Sequence, residues 1–130
     1  FVPRQYDFSR MLRIWDSRFA QVMDHTKYRN NYEYNLALVT LNKSHFYQGE
    51  TVLLAEHPGT ASRIATLHFE TYDDIGRTEE FILQNREKIQ CIIASENHGK
   101  YDCTPPGSSQ CPMLNDYADG VDTMDFLLTL

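Results

Sequence analysis

One apolar stripe near the start of the chain constrains the fold more than any other feature. Its members recur at spacings of three and four, which places them on one face of a helix. They are Phe8, Met11, Leu12, Trp15, Phe19, Val22 and Met23. Asp7 precedes the stripe, and its carboxylate can accept the unpaired N–H groups of a first helical turn. The pattern predicts a helix over about residues 7–24, with its apolar face packed on a core.

Three short apolar runs then predict strands, because each is bounded by polar or turn-forming residues. The runs are residues 36–41, 51–54 and 64–69. In the third run, Ala65, Leu67 and Phe69 are expected on one face, and Ile64, Thr66 and His68 on the other. The polar and aromatic stretch 25–35 shows no apolar helical period, and the sequence predicts a loop there.

The second half of the chain predicts a helix over about 74–87 and a fourth strand over 89–94. Strand, helix and strand in succession are typical of a parallel crossover. The expected class is therefore α/β, a mostly parallel sheet flanked by helices, in one domain or fragment spanning residues 1–130. Residues 95–130 are expected to be a long loop and an irregular C-terminal tail, ending in a short apolar helix or strand.

Composition excludes several classes of protein. Eight Tyr, seven Phe and one Trp in 130 residues are too much aromatic surface for a disordered chain. No apolar run approaches the roughly 18 residues of a membrane span. The net charge of −6 argues against a nucleic-acid partner. An odd count of three cysteines, without a visible secretory signal, predicts reduced thiols and a cytoplasmic location.

Three constellations could carry chemistry, and a structural role is favoured for each. Cys103 lies five positions from His98, close enough in sequence for a thiolate nucleophile, although an inert thiol is the favoured interpretation. The same pair with Cys111 would give three ligands of a zinc site, without a fourth. Aspartates recur at 116, 119, 122 and 125, but without the pattern of a calcium loop, so capping and a solvated acidic face explain them better.

Three segments, taken in order, resemble the C-terminal part of bacterial acyl-CoA reductases, a branch of the aldehyde dehydrogenase superfamily. Residues 1–8 (FVPRQYDF) resemble the segment that follows the nucleophilic cysteine of the superfamily. Residues 27–35 (KYRNNYEYN) resemble a loop of the family, and residues 107–124 (GSSQCPMLNDYADGVDTM) resemble its C-terminal signature. The chain starts with Phe1 rather than Met, and we expect it to be a fragment or a processed product of a longer protein.

The resemblance implies a partial aldehyde-dehydrogenase-like catalytic domain that reduces a fatty acyl thioester, such as acyl-CoA, to an aldehyde with NADPH or NADH. In such enzymes a cysteine thiolate forms an acyl-enzyme, which hydride from the cofactor then releases. The resemblance places that cysteine upstream of Phe1, so none of the cysteines in this chain corresponds to it. It also implies a homo-oligomer and a catalytically inactive isolated fragment.

The resemblance assigns cofactor-facing roles to Glu56, Pro106 and Gly107. Glu56 resembles a glutamate that contacts the nicotinamide ribose, with Glu56-His57-Pro58-Gly59-Thr60 standing where the superfamily has Glu-x-Phe-Gly-Pro. Pro106-Gly107 resembles a Pro-Phe-Gly turn, in which glycine would let the backbone approach a ligand closely. A solvated loop glutamate and a plain turn are the alternatives at these positions.

Two further classes of function stay open on the sequence. One is a non-catalytic binding or interaction module of α/β class that folds alone. The other is a small metalloprotein built on His98, Cys103 and Cys111. The upstream reading frame separates the first of these from the enzyme, and metal analysis tests the second.

Overall fold

A computed structural model describes residues 1–94, 101, 103–114, 116–117 and 121–129. The chain divides into two compact units, Phe1–Gln84 and Asn85–Leu130. The elements in chain order are β1 (Val2–Pro3), α1 (Phe8–Phe19), a 3-10 helix (Ala20–Asp24), α2 (Thr26–Leu41), β2 (Phe46–Gln48), β3 (Leu53–Glu56), β4 (Thr66–Phe69), β5 (Thr71–Tyr72), α3 (Ile75–Gln84), a second 3-10 helix (Arg86–Lys88) and α4 (Thr123–Leu128).

A three-stranded sheet in the order β2-β3-β4 forms the centre of the first unit. β3 runs antiparallel to β2 and parallel to β4. Leu53 and Leu54 are 0% and 2% exposed, and burial contributes about 1.5–3 kcal/mol for each such side chain. β1 and β5 form a separate parallel pair. The expected α/β class is confirmed at this level, with one parallel and one antiparallel pairing in the three-stranded sheet.

A helix covers each face of this sheet. Successive side chains of a strand point to opposite faces, so Leu53 and Leu54 belong to two different apolar clusters, one on each face of the sheet. Leu54 packs with Phe8 and Leu12 of α1. Leu53 packs with Tyr32 of α2. The central strand is thus buried on both sides, which explains its continuous apolar run.

The predicted first helix is confirmed over Phe8–Phe19, with the 3-10 helix continuing to Asp24. Asp7 caps α1 by accepting a 2.9 Å hydrogen bond from the main-chain N–H of Ser9. The helix predicted over 74–87 is present as Ile75–Gln84. The C-terminal apolar segment forms α4, capped by Asp122.

The loop predicted over residues 25–35 and the strand predicted over 36–41 are wrong, because both belong to α2. The buried stripe of α2 consists largely of residues that are only partly apolar. Tyr28 and Tyr32 donate their hydroxyl groups to the main-chain oxygens of Thr51 (2.8 Å) and Gly49 (2.6 Å). Asn35 donates to the oxygen of Ile64 at 2.9 Å. Polar contacts therefore hold this helix against the sheet. A search for regularly spaced apolar residues does not detect such contacts.

The strand predicted over 89–94 is also wrong: in the described part of this segment only one isolated bridge forms, between Ile93 and Thr104. The predicted βαβ crossover is consequently not present there. The parallel pairs are instead β1 with β5, and β3 with β4, which are joined by the loop 57–65.

Ala65 lies on the opposite face from the one the alternation predicts. Its φ of 61° is in the left-handed region, and this turns its side chain towards Leu53 and Tyr32. The strand begins only at Thr66, from which the alternation holds.

Candidate functional site at the carboxyl edge of the sheet

The parallel strands β3 and β4 end together at one edge of the sheet. Glu56 is the last residue of β3 and lies in register with Phe69, the last residue of β4. In open α/β sheets, ligands bind outside the carboxyl ends of parallel strands. The structure thus places Glu56, a residue that the sequence singles out, at the edge where a ligand site is expected.

Glu56 faces His45 across the antiparallel pairing of β2 and β3. The main-chain N–H of Glu56 donates to the oxygen of His45 at 3.0 Å. The Nδ1 atom of His45 lies 2.6 Å from Oε2 of Glu56, and the side chains are 60% and 43% exposed. A carboxylate accepts, so Nδ1 carries the proton of this bond. The carboxylate therefore orients the imidazole ring and leaves its own second oxygen available.

An aromatic cluster continues from His45 along the same face of the sheet. The ring centroid of His45 lies 5.3 Å from that of Tyr47 and 6.1 Å from that of Phe69. Phe8 of α1 contacts both of the latter rings, at 4.8 Å each. Tyr47 keeps 38% of its surface exposed. Phe8 and Phe69 are buried and the rings are tilted against one another, so Tyr47 is the member of this cluster whose ring is open to an aromatic contact with a ligand beside the carboxylate.

Arg4 and Asp73 form a forked ion pair beside the short pair of strands β1 and β5. The Nε atom of Arg4 donates to Oδ1 of Asp73 at 2.7 Å, and Nη2 donates to Oδ2. This hydrogen bond lowers the pKa of Asp73, and the same bond together with the charge of Asp73 raises the pKa of Arg4. The charge of Glu56 makes a smaller contribution to Arg4. Both side chains are well exposed, so the pair stabilises the fold only modestly.

Pro106 and Gly107, the other predicted cofactor-facing residues, lie in a turn of the second unit. Gly107 has a φ of 89°, and a Cβ atom built there would have no atom within 4 Å. The left-handed backbone is thus sufficient reason for a glycine at this position. The N–H of Ser108 donates to the oxygen of Pro105 at 3.1 Å and closes the turn.

The three cysteines of the second unit are free thiols. Cys91 donates to the hydroxyl oxygen of Thr104 at 3.3 Å. No three His, Cys, Asp or Glu side chains among the described residues are grouped to hold a metal ion. His98 and Asp119, members of the constellations that were weighed as metal sites and not favoured, lie outside the described residues.

Sequence reasoning missed His45. Gln48-Gly49-Glu50 marks a turn, and residues 46–48, which end in this turn, pair with residues 53–55 across a hairpin. Once that hairpin is recognised, His45 falls opposite Glu56. The turn was the sequence signal for this hairpin. It was overlooked because the apolar run 36–41 suggested that the preceding strand lay earlier in the chain.

Within the described parts of the chain, no helix is both long and apolar enough to cross a membrane. Comparison with protein-family models, with curated proteins and with solved structures found no significant match to this chain.

Proposed function

We propose that this chain is the C-terminal part of the catalytic domain of an NAD(P)H-dependent acyl-CoA reductase, with Glu56 facing the nicotinamide nucleotide. The observation that carries the proposal is the position of Glu56, an exposed carboxylate at the carboxyl end of a buried strand, parallel to its neighbour. The segments that resemble the family supply the choice of activity.

The residues at this edge fit a nucleotide. The Oε1 atom of Glu56 can accept hydrogen bonds from ribose hydroxyls while Oε2 holds His45. The exposed ring of Tyr47 offers a surface to a planar base. When bound, NADPH or NADH supplies the hydride. The role of these side chains is to bind and orient that nucleotide.

The substrate in this proposal is a fatty acyl thioester, and the product is an aldehyde. A cysteine thiolate outside this chain attacks the thioester carbonyl. Cys91, Cys103 and Cys111 are not that nucleophile, so the isolated chain is inactive. The parent enzyme is a cytoplasmic homo-oligomer.

The test uses the full reading frame that contains this chain. The purified protein is incubated with a long-chain acyl-CoA and either NADPH or NADH, and aldehyde is measured. Glu56→Gln is expected to raise the KM for the nucleotide about tenfold, as loss of a charge-assisted hydrogen bond does. Glu50→Gln is the matched control, because Glu50 is an exposed carboxylate at the other end of β3. It should leave the KM unchanged.

Three results would overturn parts of this proposal. Absence of aldehyde with both nucleotides rejects the reductase and favours the alternative, a non-catalytic binding or interaction module of α/β class. Aldehyde formation by the isolated 130-residue chain shows that the nucleophile lies within it. Equal KM values for Glu56→Gln and Glu50→Gln remove Glu56 from the nucleotide site.

A further inference from the structure

Two histidine rings are fastened to one glycine just beyond the carboxyl edge of β3. The main-chain N–H of Gly59 donates to Nδ1 of His57 at 2.9 Å. The Nδ1 atom of His68 lies 2.9 Å from the main-chain oxygen of Gly59. The two rings stack with their centroids 4.4 Å apart and an interplanar angle of 35°. Both polar groups of a single peptide residue are thus bound by the two rings.

These two hydrogen bonds require opposite roles of the two Nδ1 atoms. His57 accepts a bond at Nδ1, so that nitrogen has a free lone pair and the ring is neutral, with its proton on Nε2. His68 faces a carbonyl oxygen, so its Nδ1 carries a proton. In this arrangement the two Nδ1 atoms therefore differ: that of His57 is unprotonated and that of His68 carries a proton.

The two rings also differ in whether they can accept a further proton without losing their hydrogen bond to Gly59. His68 can take a proton on Nε2 and keep its bond to Gly59, because Nδ1–H continues to donate. His57 can be protonated only at Nδ1, and there the proton replaces the bond from the Gly59 N–H. Two positive rings at 4.4 Å would also repel each other. Protonation of His57 is thus incompatible with the arrangement.

In the described part of the chain, neither histidine ring forms an ion pair. Glu56 binds His45 on the opposite face of β3. The main-chain oxygen of Glu70 accepts a hydrogen bond from the main-chain N–H of Val2. The remaining charged side chains of the neighbouring loop and of α2 are exposed: Arg63, Lys27, Arg29 and Glu33.

We propose that His57, Gly59 and His68 form a pH-sensitive clip, in which protonation of His57 breaks its bond with the Gly59 N–H. The contact of His68 with the Gly59 oxygen and the 3.1 Å bond from the His57 main-chain N–H to the Phe69 oxygen keep the segment beside β4. His57 follows Glu56 directly, so loss of the Gly59 bond loosens the turn next to the candidate ligand edge. The clip depends only on the described contacts and stands whether or not the chain belongs to a reductase.

The direct test is NMR of the ¹⁵N-labelled chain between pH 8 and pH 5. At pH 8, long-range ¹H–¹⁵N spectra should show the proton of His57 on Nε2 and that of His68 on Nδ1. On acidification, the hydrogen-exchange protection factor of the Gly59 amide should fall about tenfold, as expected for the loss of one hydrogen bond. Protection of the amides of β3 should stay constant.

Two variants isolate the mechanism. His57→Phe keeps an aromatic ring but has no acceptor. The protection factor of the Gly59 amide in this variant at pH 8 should therefore equal that of the wild type at pH 5. In Gly59→Ala, the added Cβ lies 2.9 Å from the His57 ring, which must move away. The bond between the main-chain N–H of position 59 and Nδ1 of His57 should then be lost, and the protection factor of that amide should be the same at pH 8 and pH 5. His25→Asn is the control, because His25 caps α2 through the N–H of Tyr28, away from the clip.

The proposal is overturned if His57 carries its proton on Nδ1 at pH 8. It is equally overturned if the folded protein shows the same Gly59 protection factor at pH 8 and pH 5. Failure of the reductase assay has no bearing on either measurement, so the two proposals fail separately.

Discussion

Asp16 of α1 accepts two hydrogen bonds from Thr51, thirty-five positions further along the chain, at the start of the segment that leads into β3. Oδ1 receives both the main-chain N–H (3.0 Å) and the hydroxyl group (2.9 Å) of Thr51. Thr51 is only 2% exposed, so water does not satisfy these donors. The contact joins the first helix to the turn before the central strand.

Removal of this acceptor should destabilise the fold. Asp16→Ala leaves two donors of a buried residue without a partner, and we expect the free energy of unfolding to fall by about 2–3 kcal/mol. Urea denaturation followed by circular dichroism measures it. Asp24→Ala, an exposed aspartate just beyond the same helix, should change it by less than about 0.5 kcal/mol. Equal effects of the two substitutions would contradict the role given to Asp16.

Substitution of threonine by valine should change the free energy of unfolding in opposite directions at Thr51 and at Thr66. Thr51→Val removes a hydroxyl group that donates to Asp16, and should cost about 1 kcal/mol. The Oγ1 atom of Thr66 is buried without a hydrogen-bond partner in the described structure. Thr66→Val should therefore raise the unfolding free energy by about 1 kcal/mol. A destabilised Thr66→Val variant would show that the hydroxyl group has a partner.

The tyrosines of α2 should contribute through their hydroxyl groups. Tyr32→Phe removes the 2.6 Å bond to the oxygen of Gly49 at a buried position, and is expected to cost about 1–2 kcal/mol. Tyr34→Phe, two positions away and 62% exposed, is the matched control and should be nearly neutral. Thermal or urea denaturation compares the two. A neutral Tyr32→Phe would mean that packing alone holds this helix.

The C-terminal end of α2 offers a stabilising change. Lys43 has a φ of 51°, with its N–H bound to the oxygen of Thr40 (3.1 Å) and that of Ser44 bound to the oxygen of Val39 (3.0 Å). This is the pattern of a Schellman motif, in which glycine is preferred. Lys43→Gly should raise the unfolding free energy by about 0.5–1 kcal/mol. The same change at Lys27, in the first turn of α2, should lower stability instead.

The cap of α1 predicts a dependence of stability on pH. The main-chain hydrogen bond from Ser9 lowers the pKa of Asp7. A carboxyl group whose pKa is lower in the folded state stabilises above its unfolded value, near pH 4, and loses that contribution as the pH falls through the folded value. Asp7→Asn keeps an acceptor without titrating, so its urea midpoint should fall less between pH 5 and pH 3. Parallel curves for the two proteins would refute this role.

How far the sequence predicts this fold differs between the two large helices. In α1 the core-facing residues are apolar and recur with a period near 3.6, so the helix and its cap follow from the sequence. In α2 the buried positions also recur with helical spacing, as Tyr28, Tyr32, Asn35, Leu36 and Val39. Three of these five carry polar atoms, and a rule that counts only apolar residues predicts a loop and a strand instead.

The candidate site also has one part that the sequence predicts and another that only the tertiary structure decides. The sequence singles out Glu56 through the resemblance and predicts a strand over 51–54, whereas in the structure the strand is Leu53–Glu56 and includes Glu56. Its partner His45 depends on the register between β2 and β3, which is set by the hairpin. The clip at Gly59 depends on the parallel pairing that brings His68 next to the loop after β3.

The sequence by itself determined the helix α1 with its cap, and approximately the strands β3 and β4 and the helix α3. Their periodicity is local, because a buried face needs a continuous set of apolar side chains. Only the tertiary structure decided α2, the pairing of His45 with Glu56 and the contact of His68 with Gly59. Each of these rests on a hydrogen bond between residues that are well separated in the sequence, and the strength of that bond depends on burial and direction, which no local pattern encodes.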